Sequence, residues 1–262
     1  MYAMGLNSLR TPIKPASYTL GFRSMKPISN LRPLCTLRAQ EHEDLDRWIA
    51  SPPTQTLTDG LSTEHLSDLF ITLPTRDGTR VSYKMPKVGT PLPGGHHLAF
   101  FHARKAEQHL RADGTDEEIS PPPPFTKRMW AGGRMTWYAN NPLLVGRNAT
   151  GTARVAKVEK KGFEQGRPMI FVTQRIEFSQ VGQSIASIIE ERDHVYFCQG
   201  ATSNRNRKNV FDREVKNIPT SVDFALRYIP SPVTLFRYSA LTFNAHPHPP
   251  GQGILRKGGR IP

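Results

Sequence analysis

The sequence lacks the features that would assign it at once to a membrane or metal-binding class. No segment approaches the roughly 18 consecutive apolar residues of a membrane-spanning helix, and the mean hydropathy is −0.48. Cysteine occurs only at Cys35 and Cys198, so neither a zinc-ligand pattern nor a disulfide framework is predicted. We therefore expect a protein without a membrane span, in a reducing compartment.

Acidic residues are absent from the first forty positions, which carry six basic residues and several serines. This composition is typical of an organelle presequence, because acidic groups oppose import driven by a membrane potential that is negative inside. We predict that residues 1–40 are a disordered mitochondrial presequence, removed after import into the matrix. A merely disordered basic tail is the alternative.

The formal net charge of +13 is concentrated at the two ends of the chain. Residues 1–40 and 247–262 together hold nine positive charges and no negative ones, which leaves +4 for residues 41–246. No segment there interleaves basic and aromatic residues as a platform for stacking bases does. We predict no nucleic-acid partner. A basic nucleic-acid-binding protein stays as an alternative, which salt-sensitive binding without both ends would reveal.

One helix and three strands can be predicted between residues 41 and 199. Ser62 can cap a helix that Pro74 ends, and its apolar residues follow the spacing of one buried face: Leu66, Leu69, Phe70 and Leu73. Alternating apolar residues predict an antiparallel meander of strands at about 151–161, 168–178 and 184–198. The segments rich in proline, glycine or polar residues are predicted as loops or linkers: 81–95, 120–124 and 200–218.

Three histidines, His96, His97 and His102, lie within seven residues. Their spacing is not a recurrent zinc pattern, and no cysteine lies nearby to complete a tetrahedral set. No metal site is predicted.

Four blocks of sequence, in order, carry a family resemblance: residues 91–102 (PLPGGHHLAFFH), 113–116 (DGTD), 128–133 (RMWAGG) and 236–246 (FRYSALTFNAH). They resemble the eukaryotic mitochondrial type 2 3-hydroxyacyl-thioester dehydratases and their mesaconyl-CoA hydratase relatives. The resemblance spans about residues 45–246.

The resemblance implies an α+β protein of two MaoC-like hot-dog halves, each a curved antiparallel sheet around a helix. We assign residues 41–199 to a complete N-terminal half, which in such proteins shapes the substrate site. Residues 200–218 would be a linker, and 219–246 would begin the catalytic C-terminal half. The basic, Gly/Pro-rich residues 247–262 have the composition of a disordered tail.

The resemblance also implies a reaction, the reversible removal of water from a 3-hydroxyacyl thioester to give a trans-2-enoyl thioester in mitochondrial fatty acid synthesis. It needs a base at C2, an acid for the C3 hydroxyl and donors for the thioester carbonyl, but neither a cofactor nor a metal. The family motif reads approximately Asn-Ala-His-Arg-Ile-His-Tyr-Asp, and Asn244 and His246 match it. His248 lies one position before the place of the second family histidine. These three are the predicted catalytic residues.

The implied partners are an acyl thioester, carried on acyl carrier protein or coenzyme A, and a second copy of the chain in a homodimer. An acidic carrier protein would favour a basic face, for which Lys127, Arg128 and Arg134 are candidates.

The sequence after the linker is short for a second hot-dog half. Only 44 residues follow Ile218, whereas five strands, a helix and their turns need on the order of seventy. Three prolines between 247 and 250 also oppose a helix there. We expect a frameshift, a retained intron or a gene-model error after His246. The alternative to an active enzyme is a catalytically inactive hot-dog protein that binds thioesters or acts as a scaffold.

Overall fold

A computed structural model describes residues 35–73, 84–111, 114, 116, 119–198, 221 and 231–244. It contains three α-helices, α1 (Ala39–Ala50), α2 (Thr63–Thr72) and α3 (Pro232–Leu241). The five strands are β1 (Thr54–Asp59), β2 (Lys127–Trp137), β3 (Ala149–Lys161), β4 (Met169–Gln180) and β5 (Ile188–Phe197). Short 3₁₀ helices cover His96–Ala99 and Glu107–His109. None of the helices in the described part of the chain is long and apolar enough to cross a bilayer.

The strands form one antiparallel sheet in the order β1-β3-β4-β5-β2. The three predicted strands correspond to β3, β4 and β5, so the predicted meander is confirmed. The third begins later than predicted, at Ile188, because residues 184–187 belong to the turn that follows β4. β1 and β2 were not predicted. No side chain in either strand is fully buried, so neither strand has a buried face that would mark it by apolar alternation.

One face of the sheet holds the main core. Every second residue of β4 is buried, and Ile176 and Phe178 pack in one apolar cluster with Leu66 and Leu69 of α2. The predicted arrangement of a helix against antiparallel strands is therefore present. We call this side of the sheet the inner face.

Helix α2 starts as predicted, because the Ser62 hydroxyl accepts a hydrogen bond from the backbone N–H of His65 at 3.2 Å. The predicted burial of Phe70 is wrong: its side chain is 37% exposed and lies 5.1 Å, ring to ring, from His96. The buried residues of α2 are instead Leu66, Ser67, Leu69 and Thr72. Position 70 lies to the side of these residues, outside the contact with the sheet.

The expectation of two reduced cysteines is also wrong. Cys35 and Cys198 form a disulfide with their Cα atoms 6.3 Å apart, although 163 positions separate them in sequence. They adjoin a second apolar cluster on the inner face, in which Leu45 of α1 meets Ile170 of β4. The predicted boundary after residue 40 therefore falls inside α1, and residues 35–40 belong to the described domain. The rest of the predicted presequence lies outside the described residues.

Helix α3 lies within the segment predicted to begin the C-terminal half. The Ser231 hydroxyl accepts the N–H of Thr234 at 3.1 Å and caps its start. Within α3, the side chains of Tyr238 and Leu241 pack against the same core cluster as α2. The predicted linker 200–218 and tail 247–262 lie outside the described residues, so both stay predictions.

Candidate functional site

A cavity of about 1410 Å³ lies on the inner face of the sheet. Its walls come from three parts of the chain: inner-face residues of all five strands, described residues between His97 and Ser120, and the residues just after α3. Aromatic and aliphatic side chains form much of the wall, among them Phe100, Phe101, Ile176 and Phe178. A cavity of this size and lining can enclose an extended acyl chain.

The register of β4 and β5 explains why polar groups cross the middle of this apolar wall. Directly opposed residues share a face, and the inner-face pairs run Phe178 with Ile188, Ile176 with Glu190, Gln174 with Arg192, Val172 with His194, and Ile170 with Tyr196. Apolar pairs therefore occupy both ends. The middle is a polar belt, defined here as Gln174, Glu190, Arg192 and His194.

Glu190 is the most deeply buried charge of the polar belt, with 1% of its side chain exposed. Arg192 donates to its two carboxylate oxygens through Nε at 2.7 Å and Nη2 at 2.9 Å. On the other side, His97 Nε2 lies 3.5 Å from Glu190 Oε2. Burial raises the pKa of Glu190, but the His97 and Arg192 side chains lower it more, to about 2. The carboxylate is therefore ionised at neutral pH and holds Arg192 in place.

His194 is held neutral in the same belt. Burial, followed by the positive charges of Arg128 and Arg192, lowers its pKa to about 4. Its ring meets the edge of Trp130 at 5.4 Å. Arg128 therefore acts on the polar belt from β2, and it lines the cavity beside Arg192.

Of the three predicted catalytic residues, the structure describes Asn244. It follows α3, donates its backbone N–H to the carbonyl of Ser239 at 2.9 Å, and lines the cavity together with Thr242 and Phe243. His246 and His248 lie outside the described residues, so their roles stay predictions.

The histidines of residues 96–102 diverge in space. His102 Nε2 lies 2.8 Å from the carbonyl oxygen of Ala99, which also meets His65 Nε2 at 2.6 Å. Burial, more than any other cause, lowers the pKa of His102. His97 instead faces Glu190 and the Phe178 ring. Within the described ranges, no three His, Cys, Asp or Glu side chains are grouped as metal ligands would be.

Glu190 and Arg192 were not predicted as site residues from the sequence. A signal was present: the run EERD, residues 190–193, interrupts the apolar pattern of β5. Charges inside a strand with one buried face are costly unless they are paired, which makes them candidates for a site. The sequence alone does not show which of the four face inward.

The profile of the family described as hydroxyacyl-thioester dehydratase type 2 matches residues 95–247 of the chain. The chain belongs to this family. The described domain is a hot-dog domain of the α+β class, as predicted. Its antiparallel sheet has the order β1-β3-β4-β5-β2, and α2 packs against the inner face.

Two relatives carry names that state an activity. A mesaconyl-C(4)-CoA hydratase from Chloroflexus aurantiacus is 32% identical over 163 residues, which cover 62% of this chain and 54% of the relative. A mitochondrial hydroxyacyl-thioester dehydratase type 2 from Schizosaccharomyces pombe is 24% identical over 180 residues, which cover 60% and 56%. The matched region spans about half the length of these relatives.

The matching solved structures have lower sequence identity to this chain than the two relatives above. A MaoC-like dehydratase from Rhodospirillum rubrum matches with a TM-score of 0.33 and 15% identity over 56% of this chain and 92% of its own. A chain of the ChsH1-ChsH2 complex from Mycobacterium tuberculosis matches with a TM-score of 0.41 and 12% identity over 63% and 95%.

Proposed function

We propose that the protein removes water reversibly from 3-hydroxyacyl thioesters. Family membership supports a dehydratase or hydratase reaction. The observation that carries the proposal for this chain is the position of Asn244: the first residue of the predicted motif lines the acyl-sized cavity on the inner face of the sheet. This position supports a site in which the motif and the cavity act together.

In the proposed reaction, the acyl chain lies against the apolar wall with its thioester near Asn244. A base, His246 or His248, takes the proton at C2, whose bonding pair forms the C2–C3 double bond. The C3–O bond breaks as the hydroxyl receives a proton, which the protonated histidine can return, and this hydroxyl leaves as water. The Asn244 side-chain amide can donate a hydrogen bond to the oxygen on which negative charge develops.

The carrier and the compartment are part of the proposal. Phosphopantetheine of acyl carrier protein or coenzyme A would present the thioester, and the reaction would serve fatty acid synthesis in the mitochondrial matrix. The basic, acid-free residues 1–34, which precede the described domain, support this compartment, as does the mitochondrial name of the S. pombe relative.

A homodimer is the proposed assembly. β2 lies at the end of the sheet and pairs with β5 on one side, and Met129, Trp130 and Trp137 are 47–55% exposed along it. An edge strand with this apolar content favours pairing with a second copy. Sedimentation equilibrium should give twice the chain mass, whereas a monomer at micromolar concentration would contradict the dimer.

The activity is tested with the full chain and two substrates, crotonyl-CoA and a longer trans-2-enoyl-CoA. Hydration is followed as loss of the enoyl absorbance. We expect turnover, and we expect a loss of about 100-fold or more when the working base or Asn244 is replaced by alanine. His109→Ala is the control, because His109 is exposed and outside the cavity wall.

The outcomes separate the enzyme from the inactive alternative. Turnover that is lost in Asn244→Ala and in His246→Ala or His248→Ala supports the proposal. Thioester binding without turnover supports the thioester-binding scaffold. Turnover that all three variants retain would place the chemistry elsewhere.

A further inference from the structure

Two arginines line the cavity, and the proposed reaction uses neither. Arg192 lines it from β5 and Arg128 from β2. On the inner face, Arg192 comes two positions before His194 in β5, and Arg128 lies opposite Tyr196, two positions after His194. His194 therefore lies between the two arginines, and both positive charges lower its pKa.

The guanidinium group of Arg192 is fixed in orientation by its own neighbours. Glu190 accepts from Nε and Nη2 of the guanidinium, so the N–H groups of Nη1 have no protein acceptor within the described ranges. Glu190 is itself fixed by burial and by His97 behind it. The orientation of the guanidinium is therefore set before a ligand arrives, which reduces the entropy lost on binding.

Arg128 adds the second positive charge. It forms no ion pair with the described part of the chain, and its strand places it opposite Tyr196 on the inner face. Glu190 neutralises one of the two arginines, so the pair retains one net positive charge. Among the described residues of the wall, Lys105 pairs with Asp116 at 2.9 Å, and Arg111 and Glu107 carry single charges of opposite sign. These four described residues therefore add no net charge.

We propose that Arg128 and Arg192 form an oxyanion subsite in the cavity, which binds a carboxylate or a phosphate of the thioester ligand. The inference rests on the proposed function, since it takes an acyl thioester as the occupant. A guanidinium donates paired N–H groups that match a carboxylate or a phosphate. Such an anion has two sources in a thioester: a carboxyl group at the far end of the acyl chain, or the phosphates of the carrier arm.

Binding of four saturated thioesters distinguishes the sources and is independent of turnover. Butyryl-pantetheine has neither anion, succinyl-pantetheine has a carboxylate, butyryl-CoA has phosphates, and succinyl-CoA has both. Calorimetric titration of the full chain should show roughly tenfold tighter binding for the ligands whose anion the subsite takes, as a hydrogen bond to a charged group typically contributes. Preference for both succinyl ligands identifies a carboxylate, and preference for both CoA ligands identifies a phosphate.

Arg128→Gln should abolish that preference, so that the ligands with and without the anion bind this variant with equal affinity. Arg134→Gln is the matched control, because Arg134 is exposed and lies opposite Glu191 on the outer face of the same strand. Arg192→Gln leaves the buried Glu190 without its cation and can unfold the protein. The double variant Arg192→Gln/Glu190→Gln removes both charges and keeps the test interpretable. We expect it, too, to lose the preference.

Equal affinity for all four ligands, or a preference that survives in folded Arg128→Gln protein, would overturn the subsite. Crotonyl-CoA turnover decides the proposed function separately. A chain that hydrates crotonyl-CoA without an anion preference keeps the function and loses the subsite, whereas an anion preference without turnover keeps the subsite and loses the function.

Discussion

At the scale of single residues, the inner face differs from an ordinary core by its ionisable groups. Glu190 and His194 are 1% and 7% exposed, and burial together with neighbouring side chains decides the charge state of each. Arg192 and His97 keep Glu190 ionised, and desolvation with Arg128 and Arg192 keeps His194 neutral. Charge in this belt is therefore built into the fold and is coupled to stability.

The neutral state of His194 predicts a loss of stability in mild acid. Its pKa is about 4 in the folded protein and about 6.5 in the unfolded chain. The contribution of neutral His194 to the free energy of unfolding is therefore fully present above about pH 6.5, and it is lost as the pH falls from 6.5 towards 4. We expect the free energy of unfolding to fall by about 2 kcal/mol between pH 7 and pH 5 from this group.

Urea denaturation at several pH values measures this loss. His194→Gln should flatten the slope between pH 6.5 and 4, while His109→Gln, at an exposed position, should keep it. An unchanged slope in His194→Gln would show that His194 is not the group that takes up the proton.

At the scale of elements, β2 depends on glycine at one place. The strand shifts register against β5 between Trp130 and Gly132. A Cβ built on Gly133 would lie 2.6 Å from the backbone oxygen of Glu191, whereas one on Gly132 would meet only Asp193 Oδ2, at 3.7 Å. Two adjacent glycines of one motif therefore have different roles.

Gly133→Ala should destabilise the protein by about 1–3 kcal/mol, because β2 or the backbone of β5 must shift to relieve the contact. Gly132→Ala, its matched control, should change stability by less than about 0.5 kcal/mol. Thermal unfolding of both variants beside the unmodified protein tests the difference. Equal unfolding temperatures for the two variants would contradict the close approach.

At the scale of the whole molecule, the Cys35–Cys198 disulfide joins the segment before α1 to the end of β5. It closes a loop that contains the entire sheet. A crosslink over so long a loop restricts the unfolded chain strongly, and typical disulfides contribute about 2–4 kcal/mol.

Reduction with dithiothreitol should therefore lower the melting temperature of the protein. Cys35→Ser should melt at the lower temperature with or without the reductant. The melting temperature of the oxidised protein, compared with and without reductant after thiol titration, is the measurement. A titration that finds two free thiols before reduction would contradict the disulfide.

Much of the fold could be predicted from local patterns. Apolar alternation identified β3 to β5, and a serine before an apolar stripe identified α2, because both patterns report the face that an element buries. β1, β2 and α3 were missed because they have no buried side chains that would mark a periodic face. α1 was missed because its apolar stripe is short: Leu45, Trp48 and Ile49.

The sequence by itself determined the family, through ordered blocks of residues, and the three strands with one buried face. Only the tertiary structure decided which charges of the run 190–193 point inward, that Cys35 meets Cys198, and that Asn244 reaches the cavity. Each of these depends on strand register or on contacts between distant segments. Local sequence does not encode such neighbours, because they form only when the whole sheet is assembled.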